Sequence, residues 1–229
     1  MTEVAGERML LHELNHRINN EFAAAISAVS LAARRSNNDE VKVVLSGVVE
    51  LLHQYADVHR ALQMPECDTL VDAATYLRQL CRSVTRSQLE GRKITLVLAA
   101  QPLLLPADHC WRLGMIVFEL INNAARHAFS EGEGEIRAEL LWTDPFVECR
   151  IMDNGSASGE VQPGHGLKII NALSKDLCGQ FDQTFGSQGS RATLVFPATV
   201  SRKRPSKTEA ERDAASISRE TACLGYRVA

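Results

Sequence analysis

Apolar residues recur every three or four positions through residues 4–62, a spacing that is typical of amphipathic helices. It predicts a helix over residues 4–35 and a second over residues 40–62, with a polar break at residues 36–39 that offers good N-cap residues. Two long helices with a short link form an antiparallel hairpin. Because one hairpin buries both apolar stripes poorly, we expect two copies to pair as a four-helix bundle, a homodimer. The alternative is that the hairpin packs on the rest of its own chain.

The pattern changes in the second half of the chain, where strand-like runs alternate with helical spacing. It predicts helices at residues 72–88, 108–129 and 165–177, and strands at residues 94–98, 103–105, 135–142, 146–152, 180–185 and 191–196. This order indicates an α+β sandwich, with helices on one face of a mixed sheet. We therefore expect a helical-hairpin dimerisation domain at residues 1–64, a linker, an α+β domain at residues 68–198 and a mobile tail at residues 199–229.

The composition argues against several classes of protein. A formal net charge of −3 and a pI of about 6.2 are unlike those of a nucleic-acid binder, which is normally basic. No apolar run reaches the roughly 18 residues of a membrane span, and the first residues lack signal-peptide character, so we expect a cytoplasmic protein. The six cysteines are scattered without a Cys-x-x-Cys pair, which favours reduced packing thiols over disulfides or a zinc site.

The helix at residues 108–129 carries a polar edge that suits a magnesium–nucleotide site. Glu119 and Asn123 are four residues apart, hence about 40° apart around the helix. Arg126 and His127 follow one turn later. Carboxylate and amide oxygens suit Mg²⁺, and basic side chains suit phosphates. The alternative is an amphipathic helix whose polar edge faces water.

Three later motifs add to this picture, each of them weak alone. Asp153-Asn154-Gly155 follows a strand, where a buried carboxylate accepts from an exocyclic amine and a glycine leaves room for a flat ring; the alternative is an Asx turn. Gly164-His165-Gly166 opens a helix whose N–H groups face an anion; the alternative is a lid hinge. Gly189-Ser190 starts the last strand and could place a hydroxyl beside Asp153; the alternative is a turn.

The order of these motifs resembles that of the gyrase-type ATP-binding fold. The segment Glu13-Leu14-Asn15-His16-Arg17-Ile18-Asn19-Asn20 matches a His-Arg-x-x-Asn phosphoacceptor box. The chain is thus similar to the catalytic core of sensor histidine kinases, and the resemblance covers about residues 10–197. It implies an ATP-dependent kinase that phosphorylates itself on His16 and then passes the phosphoryl group to an aspartate of a response-regulator receiver domain.

The resemblance implies a role for each matching residue. His16 is the phosphoacceptor, assisted by Arg17 and Asn20. On the nucleotide side, the implied roles are Mg²⁺ ligation by Asn123, orientation of water or the metal shell by Glu119, phosphate contacts from Arg126, His127, Gly164 and Gly166, and adenine contacts from Asp153, Gly155 and Ser190. ATP and Mg²⁺ are the implied cofactors.

The position of His16 agrees with an exposed nucleophile. It lies off the apolar stripe, so its ring should face outward. Other interpretations remain open. One is an ATP-independent phosphotransfer adaptor on the same fold, favoured by the short loop between Gly155 and Gly164 and by the absence of a sensor domain ahead of the hairpin. A gyrase-type ATPase or serine kinase, or a dimeric scaffold, fits the His16 hairpin less well.

Overall fold

The computed structural model describes residues 2–63, 70–129, 133–156, 165–186 and 189–198, with the backbone alone for residues 2–9, 11 and 12. The predicted linker at residues 64–68 and the predicted tail at residues 199–229 lie outside these ranges. No helix of the described part is long and apolar enough to cross a membrane. The domain limits at residues 64, 68 and 198 stay predictions.

Two long helices form the predicted hairpin: α1 spans Thr2–Arg35 and α2 spans Asp39–Ala61. The polar break acts as expected, because the Asn38 side chain accepts hydrogen bonds from the backbone N–H groups of Glu40 at 2.9 Å and Val41 at 3.3 Å. These bonds satisfy donors that the first turn of α2 leaves without a partner.

The hairpin leaves much of its apolar surface exposed. Among the hairpin side chains that the structure describes, only Ala56 and Val58 are buried, near the end of α2 where it meets the second domain. The exposed large apolar side chains of the hairpin are Leu10, Leu14, Leu31, Val41, Val43, Val44, Val48, Leu51 and Tyr55. The rest of the described chain therefore covers the hairpin at one end alone.

The described residues of the second domain form three α-helices and two sheets. The helices are α3 (Ala73–Val84), α4 (Ala107–His127) and α5 (His165–Asp176). The strands are β1 (Leu70–Asp72), β2 (Ile94–Ala100), β3 (Leu104–Pro106), β4 (Gly134–Thr143), β5 (Phe146–Asp153), β6 (Gln180–Gly186) and β7 (Gly189–Pro197). A helical hairpin followed by an α+β sandwich is the predicted fold class, which is confirmed.

The main sheet has the order β2-β4-β5-β7-β6 and is mixed, because β2 pairs parallel with β4 while the other neighbours are antiparallel. Buried residues alternate along its central strands, as in β4 at Ile136, Ala138 and Leu140. Alternation with a period of two puts these side chains on one face. That face packs on the helices and forms the core.

Two local features differ from the sequence expectation. Residues 70–72 form β1, which pairs antiparallel with β3, whereas the sequence predicted no strand there and the start of a helix at residue 72. The helix expected over residues 72–88 ends at Val84 and continues as a π turn at Thr85–Leu89. The wider turn shifts the side-chain direction, and Leu89 is fully buried at its end.

The described cysteines agree with packing thiols. Cys81, Cys110 and Cys149 are free and buried, whereas Cys178 is exposed. Burial raises the pKa of each of the three buried thiols to about 12. They therefore stay protonated and unreactive near neutral pH.

The contact between α3 and α4 depends on a glycine. A methyl group on Gly114 would lie 2.5 Å from the Tyr76 hydroxyl oxygen and 2.6 Å from ring atom Cε1. We therefore expect Gly114→Ala to lower the free energy of unfolding by about 1–3 kcal/mol through overpacking, measured by chemical denaturation. Gly91→Ala is the control, because nothing lies within 4 Å of its added methyl group. Equal stability of the two variants would contradict the prediction.

Candidate functional site

A cavity of about 370 Å³ opens between α4, the start of α5 and the adjoining ends of β5, β6 and β7. Its lining includes seven of the residues that the sequence singled out: Glu119, Asn123, Arg126, His127, Asp153, Gly166 and Ser190. These residues come from four separate elements. The fold thus brings the predicted nucleotide residues together in one place.

The polar edge of α4 forms one wall of this cavity. Val117, Ile121 and other buried apolar residues lie on the opposite face of the helix, so Glu119 and Asn123 are left at its partly exposed edge. Arg126, in the last turn, is exposed and lines the same cavity. One wall of the cavity therefore presents, in this order along α4, the Glu119 carboxylate, the Asn123 amide and the Arg126 guanidinium.

Asp153 is the buried polar centre of the opposite wall. Its side chain is only 8% exposed, at the end of β5. Oδ1 accepts hydrogen bonds from the backbone N–H of Gly155 at 3.1 Å and of Ser190 at 3.2 Å, and Oδ2 accepts from the Ser190 hydroxyl. The hydroxyl thus lies beside Asp153 as expected. These donors offset the cost of burying the carboxylate.

Two glycines allow the backbone segments around Asp153 to approach closely. A methyl group on Gly155 would lie 2.2 Å from the carbonyl oxygen of Ala128. A methyl group on Gly189, whose φ is +120°, would lie 1.8 Å from the carbonyl oxygen of Asp153. The sequence indicated Gly155 as room for a ring. Gly155 is not among the residues that line the cavity, and it instead lets the chain pack against the end of α4, where the Ser156 N–H donates to the Ala128 carbonyl oxygen at 3.1 Å.

Residues of β6 also line the cavity, although the sequence did not point to them. Gln183 pairs with Ala192, and Phe185 pairs with Ser190 across the ladder. Phe185 is 49% exposed, although it is a large aromatic side chain. Its place in an edge strand gave no signal of function, because the strand pattern alone does not say which strands become neighbours.

Other predicted residues lie apart from the cavity or outside the described ranges. His16, Arg17 and Asn20 are exposed on α1 and do not line the cavity. Arg17 Nε donates to Glu13 Oε1 at 2.9 Å, in an exposed pair. The exposure of His16 agrees with the outward direction expected from the stripe. Gly164 lies outside the described residues.

The wall of α4 has donors that fit a magnesium ion. Glu119 and Asn123 carry oxygen donors of the kind Mg²⁺ prefers. A methyl group on Gly166 would lie 2.7 Å from Glu119 Oε2 and 3.7 Å from Asn123 Oδ1, so the glycine keeps the space beside both oxygens open. The described residues contain no group of three or more His, Cys, Asp or Glu that could hold a metal. Further ligands would therefore be phosphate and water oxygens.

Two known sequence families match consecutive parts of the chain. Residues 13–88 match the family described as "Histidine kinase", and residues 85–196 match the "Histidine kinase-like ATPase domain". The chain belongs to the histidine kinase family. The resemblance recognised in the sequence is confirmed, and the second match implies that the α+β domain binds ATP.

Individual relatives agree with this assignment. The chain is 28% identical over 192 residues to sensor histidine kinase PdtaS of Mycobacterium tuberculosis, covering 79% of this chain and 37% of the relative. It is 24% identical over 200 residues to blue-light-activated histidine kinase 2 of Erythrobacter litoralis, covering 82% and 56%. The chain thus spans less than two thirds of each of these relatives.

A solved structure shows the same fold. The histidine kinase domain of the blue-light-activated kinase EL346 of Erythrobacter litoralis superposes with a TM-score of 0.58 at 18% sequence identity. The match covers 79% of this chain and 96% of that domain. At this identity the likeness concerns the fold alone.

The Ser190 hydroxyl stabilises the buried carboxylate. We expect Ser190→Ala to lower the free energy of unfolding by about 1–2 kcal/mol, because Asp153 Oδ2 loses its donor. Chemical denaturation measures the change, and Ser190→Thr, which keeps a hydroxyl, is the control. A Ser190→Ala variant as stable as the parent would contradict the expected role of this hydrogen bond.

Proposed function

We propose that this chain is an ATP-dependent protein-histidine kinase of two-component signalling, which phosphorylates itself on His16. The observation that carries the proposal is the convergence of the Glu119–Asn123 edge and the buried Asp153 on one cavity. An oxygen-lined wall suits a metal–phosphate group, and a buried acceptor suits the amine of a base. The family assignment supports ATP as the molecule that unites these two groups.

The residues of the cavity divide into a base end and a phosphate end. Asp153 would accept a hydrogen bond from the adenine amine, with Ser190 holding its carboxylate and Gly155 keeping the adjoining backbone close to the end of α4. At the other end, the phosphate contacts would come from Arg126, His127 and the backbone N–H groups of Gly164 and Gly166. Glu119 and Asn123 would hold Mg²⁺, which when bound neutralises phosphate charge.

His16 would act as the nucleophile. One ring nitrogen attacks the γ-phosphorus, a P–N bond forms, the P–O bond to ADP breaks, and the ring gives up a proton to solvent. Asn20, one turn later on α1, would hydrogen-bond the ring or the phosphoryl group, and Arg17 would exchange the exposed Glu13 carboxylate for phosphoryl oxygens. Because His16 does not line the cavity, a hairpin from this chain or from a second copy must approach it.

Two partners follow from the same proposal. The phosphoryl group would pass from His16 to an aspartate of a response-regulator receiver domain. A second copy of the chain would cover the apolar hairpin surface, since side chains such as Val43 (73% exposed) and Val44 (61% exposed) are otherwise in contact with water. This exposed surface supports a homodimer through the hairpin.

Labelling with γ-labelled ATP and Mg²⁺ tests the proposal. We expect acid-labile, base-stable label on the wild type, its complete loss in His16→Ala, and unchanged nucleotide affinity in that variant, because His16 lies outside the cavity. His53→Ala is the matched control, as His53 is also an exposed histidine of the hairpin. Asn123→Ala should lose both label and nucleotide affinity.

Other outcomes of this experiment separate the alternatives. Label that survives in His16→Ala would refute the phosphoacceptor assignment. A wild type with neither label nor nucleotide binding would refute the kinase and favour an ATP-independent phosphotransfer adaptor, whose His16 takes phosphate from a phosphorylated receiver domain. ATP hydrolysis without protein labelling would favour a gyrase-type ATPase.

Phe185 should contribute to nucleotide affinity. Its half-exposed ring lies beside the Asp153–Ser190 pair, where a flat base would cover it. We expect Phe185→Ala to weaken binding of a non-hydrolysable ATP analogue about threefold to tenfold in calorimetry. Phe146→Ala is the matched control, since Phe146 is 45% exposed at the opposite end of β5. Equal affinities of the two variants would show that Phe185 does not contact the base.

A further inference from the structure

We propose that Trp111 is a positioning residue that fixes the end of the hairpin on the nucleotide-binding domain. The inference rests on the proposed function, because it concerns how the helix that follows His16 in the hairpin is held relative to the cavity. Trp111 lies in the first half of α4, and its indole N–H donates to the carbonyl oxygen of Leu62 at 2.9 Å. Leu62 is the C-cap residue of α2.

The accepting carbonyl belongs to the end of a helix, where backbone acceptors lack intrahelical partners. Trp111 thus satisfies one of them and ties α2 to α4. Apolar packing supports this contact: Val58 is 5% exposed within the core of the second domain, and Ala61 and Leu62 pack against that core. The last turn of α2 is therefore part of two domains at once.

The boundary between α2 and the second domain also includes a polar cleft. The cleft has a volume of about 260 Å³ and lies between α2, α3 and the following π turn, lined by Gln54, Asp57, Gln79, Arg82, Ser83 and Arg86. The apolar attachment of α2 is at its last turn, at Val58 and Leu62. We call these two residues and Trp111 the attachment point of α2.

The helix α4 carries both Trp111, which contacts the end of α2, and the polar edge with Glu119 and Asn123 that lines the cavity. Trp111 and Asn123 are 12 residues apart in α4, which corresponds to about 18 Å along the axis at about 1.5 Å per residue. Because the apolar face of α4 between them is buried in the core, this helix moves as one body with the cavity wall. The hydrogen bond from Trp111 to Leu62 therefore fixes the orientation of the hairpin relative to the cavity, although Trp111 does not line the cavity.

Trp111→Phe tests this role, since it keeps an aromatic ring but removes the donor. We expect the maximal autophosphorylation rate to fall about fivefold, the loss of a typical hydrogen bond, while the affinity for a non-hydrolysable ATP analogue stays within about twofold. Amide hydrogen exchange at residues 59–63 should become about fivefold faster. Trp142→Phe, at the second of the two tryptophans of the chain, is the control and should change neither.

The outcomes distinguish this inference from the proposed function. Unchanged hydrogen exchange at the end of α2 in Trp111→Phe would overturn the inference. A parallel loss of nucleotide affinity, rate and thermal stability would also overturn it, since it would show a merely structural role. If the wild type takes no label, the kinase proposal fails, and hydrogen exchange alone still decides whether Trp111 holds α2.

Discussion

The burial of one face of α4 is the constraint on which the candidate site depends. Leu113, Ile116 and Ile121 have no exposed surface, and each fully buried side chain of this size stabilises the fold by roughly 1.5–3 kcal/mol. A rotation of the helix would expose them, so its orientation is fixed. The edge with Glu119 and Asn123 is then the part of the helix that remains for the cavity.

The second wall of the cavity depends on close backbone contacts rather than on apolar burial. Gly155 packs on the carbonyl of Ala128 at the end of α4, and Gly189 approaches the carbonyl of Asp153. Larger residues would separate the end of β5 from α4 and from the start of β7. The Asp153 carboxylate is thus held at a defined place relative to Glu119 and Asn123, although these residues lie in different layers of the domain.

The hairpin follows a different physical logic. Its apolar stripes are long, yet the described chain covers only the last turn of α2, through Val58 and the Trp111–Leu62 hydrogen bond. The exposed remainder is the surface that the proposed second copy of the chain would cover. The hairpin would thus pair with a second copy through its exposed middle, while the attached end of α2 sets the orientation of the hairpin relative to the second domain.

Much of this architecture was predictable from the sequence. The apolar period located both hairpin helices and α4, because such periods reflect which face is buried whatever the partner is. Turn and helix-start residues located the polar break at Asn38 and the carboxylate Asp153. The order of these motifs then indicated the histidine kinase fold, including the exposed His16 and seven of the residues that line the cavity.

Other features were decided by the tertiary structure. The strand β1, the burial of Leu89, the place of Phe185 in the same cavity as Asp153 and the bond from Trp111 to Leu62 all depend on segments that are distant in sequence. The sequence by itself determined which faces are apolar and which residues carry chemistry, since these follow from local spacing and residue type. Only the tertiary structure decided which of these faces and ends meet, because that choice minimises exposed surface over the whole chain at once.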